Sequence, residues 1–355
     1  MTRYLLRLSS FIGLAFGLVI GAAMSVGYLL PESLQMIYTH VSKINKPAIF
    51  IQDVYRSVQR PLTRTFEFSL LASWSHDGTQ IAYLAAIDKN FYIHIMDRYG
   101  HQKRRFELAV ESIQSKLIWS PNNKHILLSF TNKNGSQSIL MNAATGEYQG
   151  LQRSIGTGSW SSDSQNIRYY VFNELGSMQL YEMNIHCTTE APVCEPKEID
   201  LSNVGQFYGQ LKLSPDEQSL TFSQKGEQNA KIMIAHLKCA DLMADCIQRI
   251  DTLVDTPLDD AEPIWSPDGT QIAFVTSRVH LSIITVSTGE LQTFDTPGIV
   301  PYLNGWSPDG QYIAYISEYT GIANVYLFNV KTGESQPLLA DQVTAEFPEW
   351  RPMQP

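Results

Sequence analysis

The residues with most chemistry to offer are four cysteines, all between positions 187 and 246. Cys187 and Cys194 are separated by six residues, and so are Cys239 and Cys246. Four thiols in two pairs suit either one tetrahedral zinc ion or two disulfides. Carboxylates form a second group. Asp77, Asp163, Asp216, Asp268 and Asp309 recur behind a serine, and such a set invites general acid–base chemistry. A third group is acidic and aromatic together: Asp255, Asp259, Asp260, Glu262, Asp295, Asp341, Glu346 and Glu349 alternate with Phe207, Tyr208, Tyr302 and Phe347. The eight histidines are scattered singly, His76 and His125 beside turns. No Gly-x-Ser-x-Gly, His-Glu-x-x-His, P-loop or Gly-x-Gly-x-x-Gly stretch occurs, so no catalytic or cofactor motif organises these groups.

The elements that position them emerge from a repeat. Ala72-Ser-Trp-Ser-His-Asp-Gly-Thr-Gln-Ile-Ala-Tyr83 returns in five further versions, most clearly as Pro263-Ile-Trp-Ser-Pro-Asp-Gly-Thr-Gln-Ile-Ala-Phe274 and Asn304-Gly-Trp-Ser-Pro-Asp-Gly-Gln-Tyr-Ile-Ala-Tyr315. The anchors are Trp74, Trp119, Trp160, Leu213, Trp265 and Trp306, with Trp350 as a seventh, at intervals of 45, 41, 53, 52, 41 and 44 residues. Within each unit, Pro presets φ, Asp bonds its own backbone and Gly takes positive φ, which makes a turn. An alternating strand follows, and Lys331-Thr-Gly-Glu334 exemplifies a second turn later in the unit. Four short antiparallel strands per unit of ~45 residues make a propeller blade. The aspartates then belong to turns, not to a catalytic set.

This motif resembles the TolB-like Trp-Ser-Pro-Asp-Gly repeat, which also builds the propeller of dipeptidyl-peptidase-type enzymes. The resemblance covers nearly all of the chain after residue 30 and implies fold far more than function. In the peptidases a hydrolase domain follows the propeller. Here the chain stops within the turn after Trp350, so no such domain is expected.

Trp350 heads a first strand with no chain left to complete its blade. Pro31 to Tyr38 mirrors Pro267 to Phe274, Ala48 to Tyr55 reads as a third strand, and Gln59 to Thr63 as a fourth. We therefore expect an all-β propeller of seven four-stranded blades, the seventh closed by both termini; six blades, with 31–66 as a stalk, is the alternative. On neighbouring blades the two cysteine pairs would lie roughly 15–20 Å apart, beyond the reach of one zinc ion. Two local disulfides, Cys187–Cys194 and Cys239–Cys246, are expected instead.

Ahead of the repeat, Leu8 to Leu30 is 23 residues without a charge, about 34 Å as a helix and enough to span a bilayer. Arg3 and Arg7 precede it, which places residues 1–7 in the cytosol and 31–355 outside. A cleaved signal peptide is the rival reading, disfavoured by the length of the apolar run. Gly13, Gly17, Gly21 and Ser25 line one helix face and would let a second helix approach closely.

Composition bounds the partners. With 26 Lys+Arg against 35 Asp+Glu the net charge is −9, which argues against nucleic acid. Seventeen Tyr, 15 Phe and 6 Trp are too much aromatic surface for a disordered chain. No cofactor or metal is expected. The function expected is a membrane-anchored, non-catalytic scaffold whose acidic inter-blade loops (Asp255, Asp259, Asp260, Glu262, Tyr302, Asp341, Glu346, Phe347) bind a protein. The alternative is a propeller hydrolase or lyase acting on glycan or peptide in the central channel.

Overall fold

A computed structural model describes residues 33–41, 46–64, 68–108, 110, 112–113, 115–133, 135–151, 155, 158–172, 178–186, 196–199, 207–226, 228–238, 247–300, 302–318, 323–339 and 344–353. The expected membrane helix with Gly13, Gly17, Gly21 and Ser25, the four cysteines and Asp341 lie outside the described residues. Among those described, no helix is long and apolar enough to cross a membrane.

Each repeated turn is held by the serine and the aspartate. Ser75, Ser120, Ser161, Ser214, Ser266 and Ser307 donate their hydroxyls to Asp77, Asn122, Asp163, Asp216, Asp268 and Asp309 at 2.5–2.8 Å. The carboxylate also accepts the backbone N–H two residues on, as in Thr79 to Asp77 at 3.0 Å. These bonds hold the carboxyls of Asp163, Asp216 and Asp268 below the ordinary range. For Asp77 the same bonds overcome an opposing push from burial. These carboxylates are committed to local backbone, which explains their number without catalysis.

From each turn an alternating strand leads outward through an antiparallel sheet, and seven sheets form, six of four strands and one of five. The first blade comprises Phe68–Trp74, Gln80–Ile87, Asn90–Asp97 and Arg104–Leu108. In the second, Ser112–Ile113 and Ile118–Trp119 share the innermost place beside His125–Asn132, Gly135–Asn142 and Tyr148–Gly150. The third runs from Gly158–Trp160 to Lys197–Ile199, the fourth from Phe207–Leu213 to Ile247–Val254, the fifth from Asp260–Trp265 to Leu291–Asp295 and the sixth from Leu303–Trp306 to Glu334–Pro337.

The seventh blade takes its inner strand, Thr344–Trp350, from the C-terminal end and Gln35–Val41, Ala48–Asp53 and Val58–Pro61 from the N-terminal part. Trp350 faces Met36 across the pair, as Trp265 faces Ile272 and Trp306 faces Ile313. Seven blades, not six, is the outcome, and closure pairs the Gln35–Val41 edge with Thr344–Trp350. The third strand of this blade, Ala48–Asp53, is shorter than the expected Ala48 to Tyr55, because Val54 to Ser57 turns instead of continuing it.

The tryptophans stitch the ring. Trp119, Trp160, Trp265, Trp306 and Trp350 each donate an indole N–H to a carbonyl of the preceding blade: Ser73, Ile118, Lys212, Ile264 and Gly305, at 3.1–3.3 Å. A buried indole needs such a partner, and the carbonyl precedes the neighbouring anchor every time. Apolar clusters fill the seams between blades, for example Met36 and Tyr38 against Leu327 and Leu339.

Candidate functional site

The blade geometry divides the loops between two faces. Turns after first and third strands share one; hairpins after second strands and the inter-blade connections share the other. On this second face the loops over blades 4 to 6 are tied by backbone N–H donors. Ala230 N–H donates to Asp259 Oδ1 at 3.0 Å, Ser277 N–H to Asp259 O at 2.8 Å, and Val300 N–H to Arg278 O at 2.7 Å. Ser277 and Arg278 both take positive φ, 49° and 63°, the geometry of a hairpin turn that matches strand twist.

This hydrogen-bonded stretch exposes apolar side chains. Leu258, Val279, Ile299 and Tyr302 are 44%, 39%, 52% and 40% exposed. Around them stand Asp255, which meets Lys231 Nζ at 2.6 Å, together with exposed Asp259, Arg278 and Asp295. Half-buried Glu346 lies close enough that its charge, after burial, raises the Tyr302 phenol pKa. Sequence reading singled out Tyr302 here and missed Leu258, Val279 and Ile299. Their signal was present: each is apolar in a short loop, where no strand face calls for burial.

Other residues of the expected acidic face go elsewhere. Asp260 has no exposure at all. It accepts from Thr276 Oγ1 at 2.8 Å and Thr256 Oγ1 at 2.7 Å, and Thr276, Ser282 and Thr293 continue the hydroxyl chain across the blade. Burial raises the Asp260 pKa. It therefore braces the fifth blade from within and presents nothing to a partner.

Glu262 and Phe347 sit three residues before Trp265 and Trp350, at inner-strand bulges where both take positive φ, 56° and 52°. Leu71 does the same three residues before Trp74, at 54°. Such bulges re-aim the strand. Phe207 and Tyr208 lie in the inner strand of the fourth blade.

The bulges bring charges together near the axis. Burial lowers the pKa of Lys212 and raises that of Glu262, and each is opposed by the other's charge. Glu349, raised by burial, is steadied by the charge of Lys116 and by bonds from Trp74 N–H and Ser73 Oγ at 2.8 and 3.1 Å. Lys116 also acts on Lys212. These groups come from blades 2, 4, 5 and 7, so they couple across the ring interior. Among the described residues no three His, Cys, Asp or Glu side chains converge as a metal would require.

No protein-family model and no curated protein matches this chain. Solved structures do. TolB from Acinetobacter baumannii is 15% identical over 90% of this chain and 82% of its own, with a TM-score of 0.56. The β-propeller domain of the Trilobed protease from Pyrococcus furiosus is 16% identical over 88% and 96%, at 0.57. An oligogalacturonate lyase in complex with manganese is 15% identical over 86% and 85%, also at 0.57.

The fold is that of a seven-bladed, TolB-like β-propeller. Identities this low establish the architecture alone, and the neighbours include both enzymes and a protein not named as one.

Proposed function

We propose that this chain is a membrane-anchored, non-catalytic propeller that docks a protein partner on the loop face of blades 4 to 6, as one subunit of a membrane complex. The carrying observation is the backbone-tied surface that exposes Leu258, Val279, Ile299 and Tyr302. Exposed apolar side chains on a pre-ordered surface lose little entropy on burial, and an aromatic among them is typical of interface centres.

The point at which the described chain enters the seventh blade supports this reading. The described chain joins the seventh blade at the end where Arg351 N–H donates to Gln35 O, 2.8 Å. That is the turn face, opposite the docking loops. A helix over residues 8–30 would hold the turn face toward the bilayer and leave the loop face open. The basic run His101 to Arg105 would then approach the headgroups. Disulfides Cys187–Cys194 and Cys239–Cys246 would suit the extracytoplasmic side.

Purification from membranes in mild detergent tests the proposal. A stoichiometric protein partner, lost on Leu258→Glu or Ile299→Glu, is the expected result. A lone monomer that turns over a glycan or peptide would sink it. The coupled charges of Lys116, Lys212, Glu262 and Glu349 favour that second reading, an enzyme working in the channel, and Lys212→Met would then abolish turnover. Spin labels at positions 104 and 259 test the orientation; position 259 closer to the membrane would reverse it.

A further inference from the structure

The seven-fold repeat supplies its own control, and one position departs from it. The residue paired with Met36 on the third strand of the seventh blade is Gln52. The same place in the other blades holds Met96, Met141, Met183, Ala235, Ile284 and Phe328. Those six are apolar and at most 3% exposed, and Gln52 is only 7% exposed. Six blades use this position to fill the seam with the preceding blade. The seventh puts an amide there, and a cavity of about 210 Å³ opens beside it, between the sixth and seventh blades.

The lining is specific. Gln52, Gln59, Gln336 and Ser57 supply polar groups, and Leu327 and Leu338 contribute apolar surface. No charged side chain lines it among the described residues. Tyr38 donates its hydroxyl to Gln59 Oε1 at 2.7 Å, which fixes that amide and leaves its N–H donors for the cavity. The Gln52 amide donates to Asp53 O at a long 3.3 Å and keeps its oxygen as an acceptor. Amides that donate and accept, one hydroxyl and an apolar wall match a molecule with a C–H face and a rim of hydroxyls.

We propose that this seam cavity binds a neutral sugar unit, a pyranose with its hydroxyls on Gln52, Gln59 and Gln336 and its C–H face on Leu327 and Leu338. The absence of lysine, arginine or carboxylate from the lining selects against charged sugars, whose ionic group would be desolvated unpaired. None of Leu258, Val279, Ile299 or Tyr302 lines the cavity, so the site is independent of the docking proposal.

Saturation-transfer NMR on the whole protein tests it with glucose, galactose and N-acetylglucosamine, and with glucuronate as the charged control. Saturable transfer from at least one neutral sugar, and none from glucuronate, is expected. Gln52→Leu, which restores the repeat's apolar residue, should weaken it about tenfold or more while the melting temperature holds or rises. Exposed Gln336→Ala, remote from the core, gives the same readout should Gln52→Leu disturb the fold. Transfer from no neutral sugar, equal transfer from glucuronate, or full transfer in both variants would overturn the site.

Discussion

Trp74 and Glu349 meet across the seam that closes the ring: the backbone N–H of Trp74 donates to Glu349 Oε1 at 2.8 Å. At the five seams sewn by an indole, the tryptophan reaches a carbonyl of the preceding blade. The Trp74 indole N–H is buried without an acceptor, and the glutamate side chain does the joining instead, with Ser73 Oγ as its second donor.

Glu349→Ala should therefore weaken the protein by about 2 kcal/mol, since it strands the Trp74 N–H and the Ser73 hydroxyl. Glu349→Gln keeps an acceptor and should recover most of the loss. Urea unfolding of the three proteins checks the order. Equal stability of Ala and Gln variants would show that the hydrogen bonds do not hold this seam.

Removal of residues 344–355 takes away the inner strand of the closing blade. It exposes the Gln35–Val41 edge and deletes Trp350, whose indole reaches Gly305, and Arg351, whose Nε donates to Gly78 O at 3.0 Å. The melting temperature should fall by roughly 5 °C or more. A synthetic 344–353 peptide added in trans should restore part of it. An unchanged melting curve would mean that the ring does not depend on this strand.

His94 is the acid-sensitive point of the first blade. Its ring is 8% exposed, Nδ1 bonds the Tyr83 hydroxyl at 2.8 Å, and Nε2 has no partner. Burial first, then the charges of Lys103 and Arg105, lower its pKa to about 4, against an unfolded value of roughly 6.5. Between these values the unfolded chain binds the extra proton, so stability is complete above pH ~6.5 and falls toward pH ~4, by on the order of 3 kcal/mol. His40 and His125, also lowered, act in the same direction. The raised carboxyls of Asp260, Glu262 and Glu349 act oppositely as pH rises. The difference between wild type and His94→Gln isolates the histidine: its pH slope should be shallower, and identical slopes would refute the assignment.

Glu217 occupies the turn position that Gly78, Gly269 and Gly310 hold elsewhere, with φ of 57°. Glutamate pays a steric cost there that glycine escapes. Glu217→Gly should stabilise the protein by about 1 kcal/mol, read as a shift in the urea midpoint. Ser164 shares the strained geometry, but its hydroxyl accepts from Asn122 N–H at 3.0 Å. Ser164→Gly should gain less. A destabilised Glu217→Gly would show that the side chain repays its strain.

Much of the architecture was legible in the residues. Tryptophan anchors at ~45-residue spacing, Ser-x-Asp turns and alternating strands are local patterns, and local patterns specify a blade because each blade forms from consecutive chain. Even the closing blade followed from a gap in the pattern: Trp350 lacked three strands, and residues 31–66 offered three. The chemistry was less legible, because it depends on what faces what across the seams. Asp260 and Glu262 are two residues apart in one acidic run, yet one is sealed inside the fifth blade and the other turns toward Lys212. Only the inner-strand bulge, which breaks the period of two, separates them. Gln52 likewise looked ordinary in Ala48-Ile-Phe-Ile-Gln-Asp53. Strand pairing set it level with six buried apolar residues and aimed its amide into the seam. Spacing along the chain determines which elements form; register and the meeting of blades distant in sequence decide which side chains share a space.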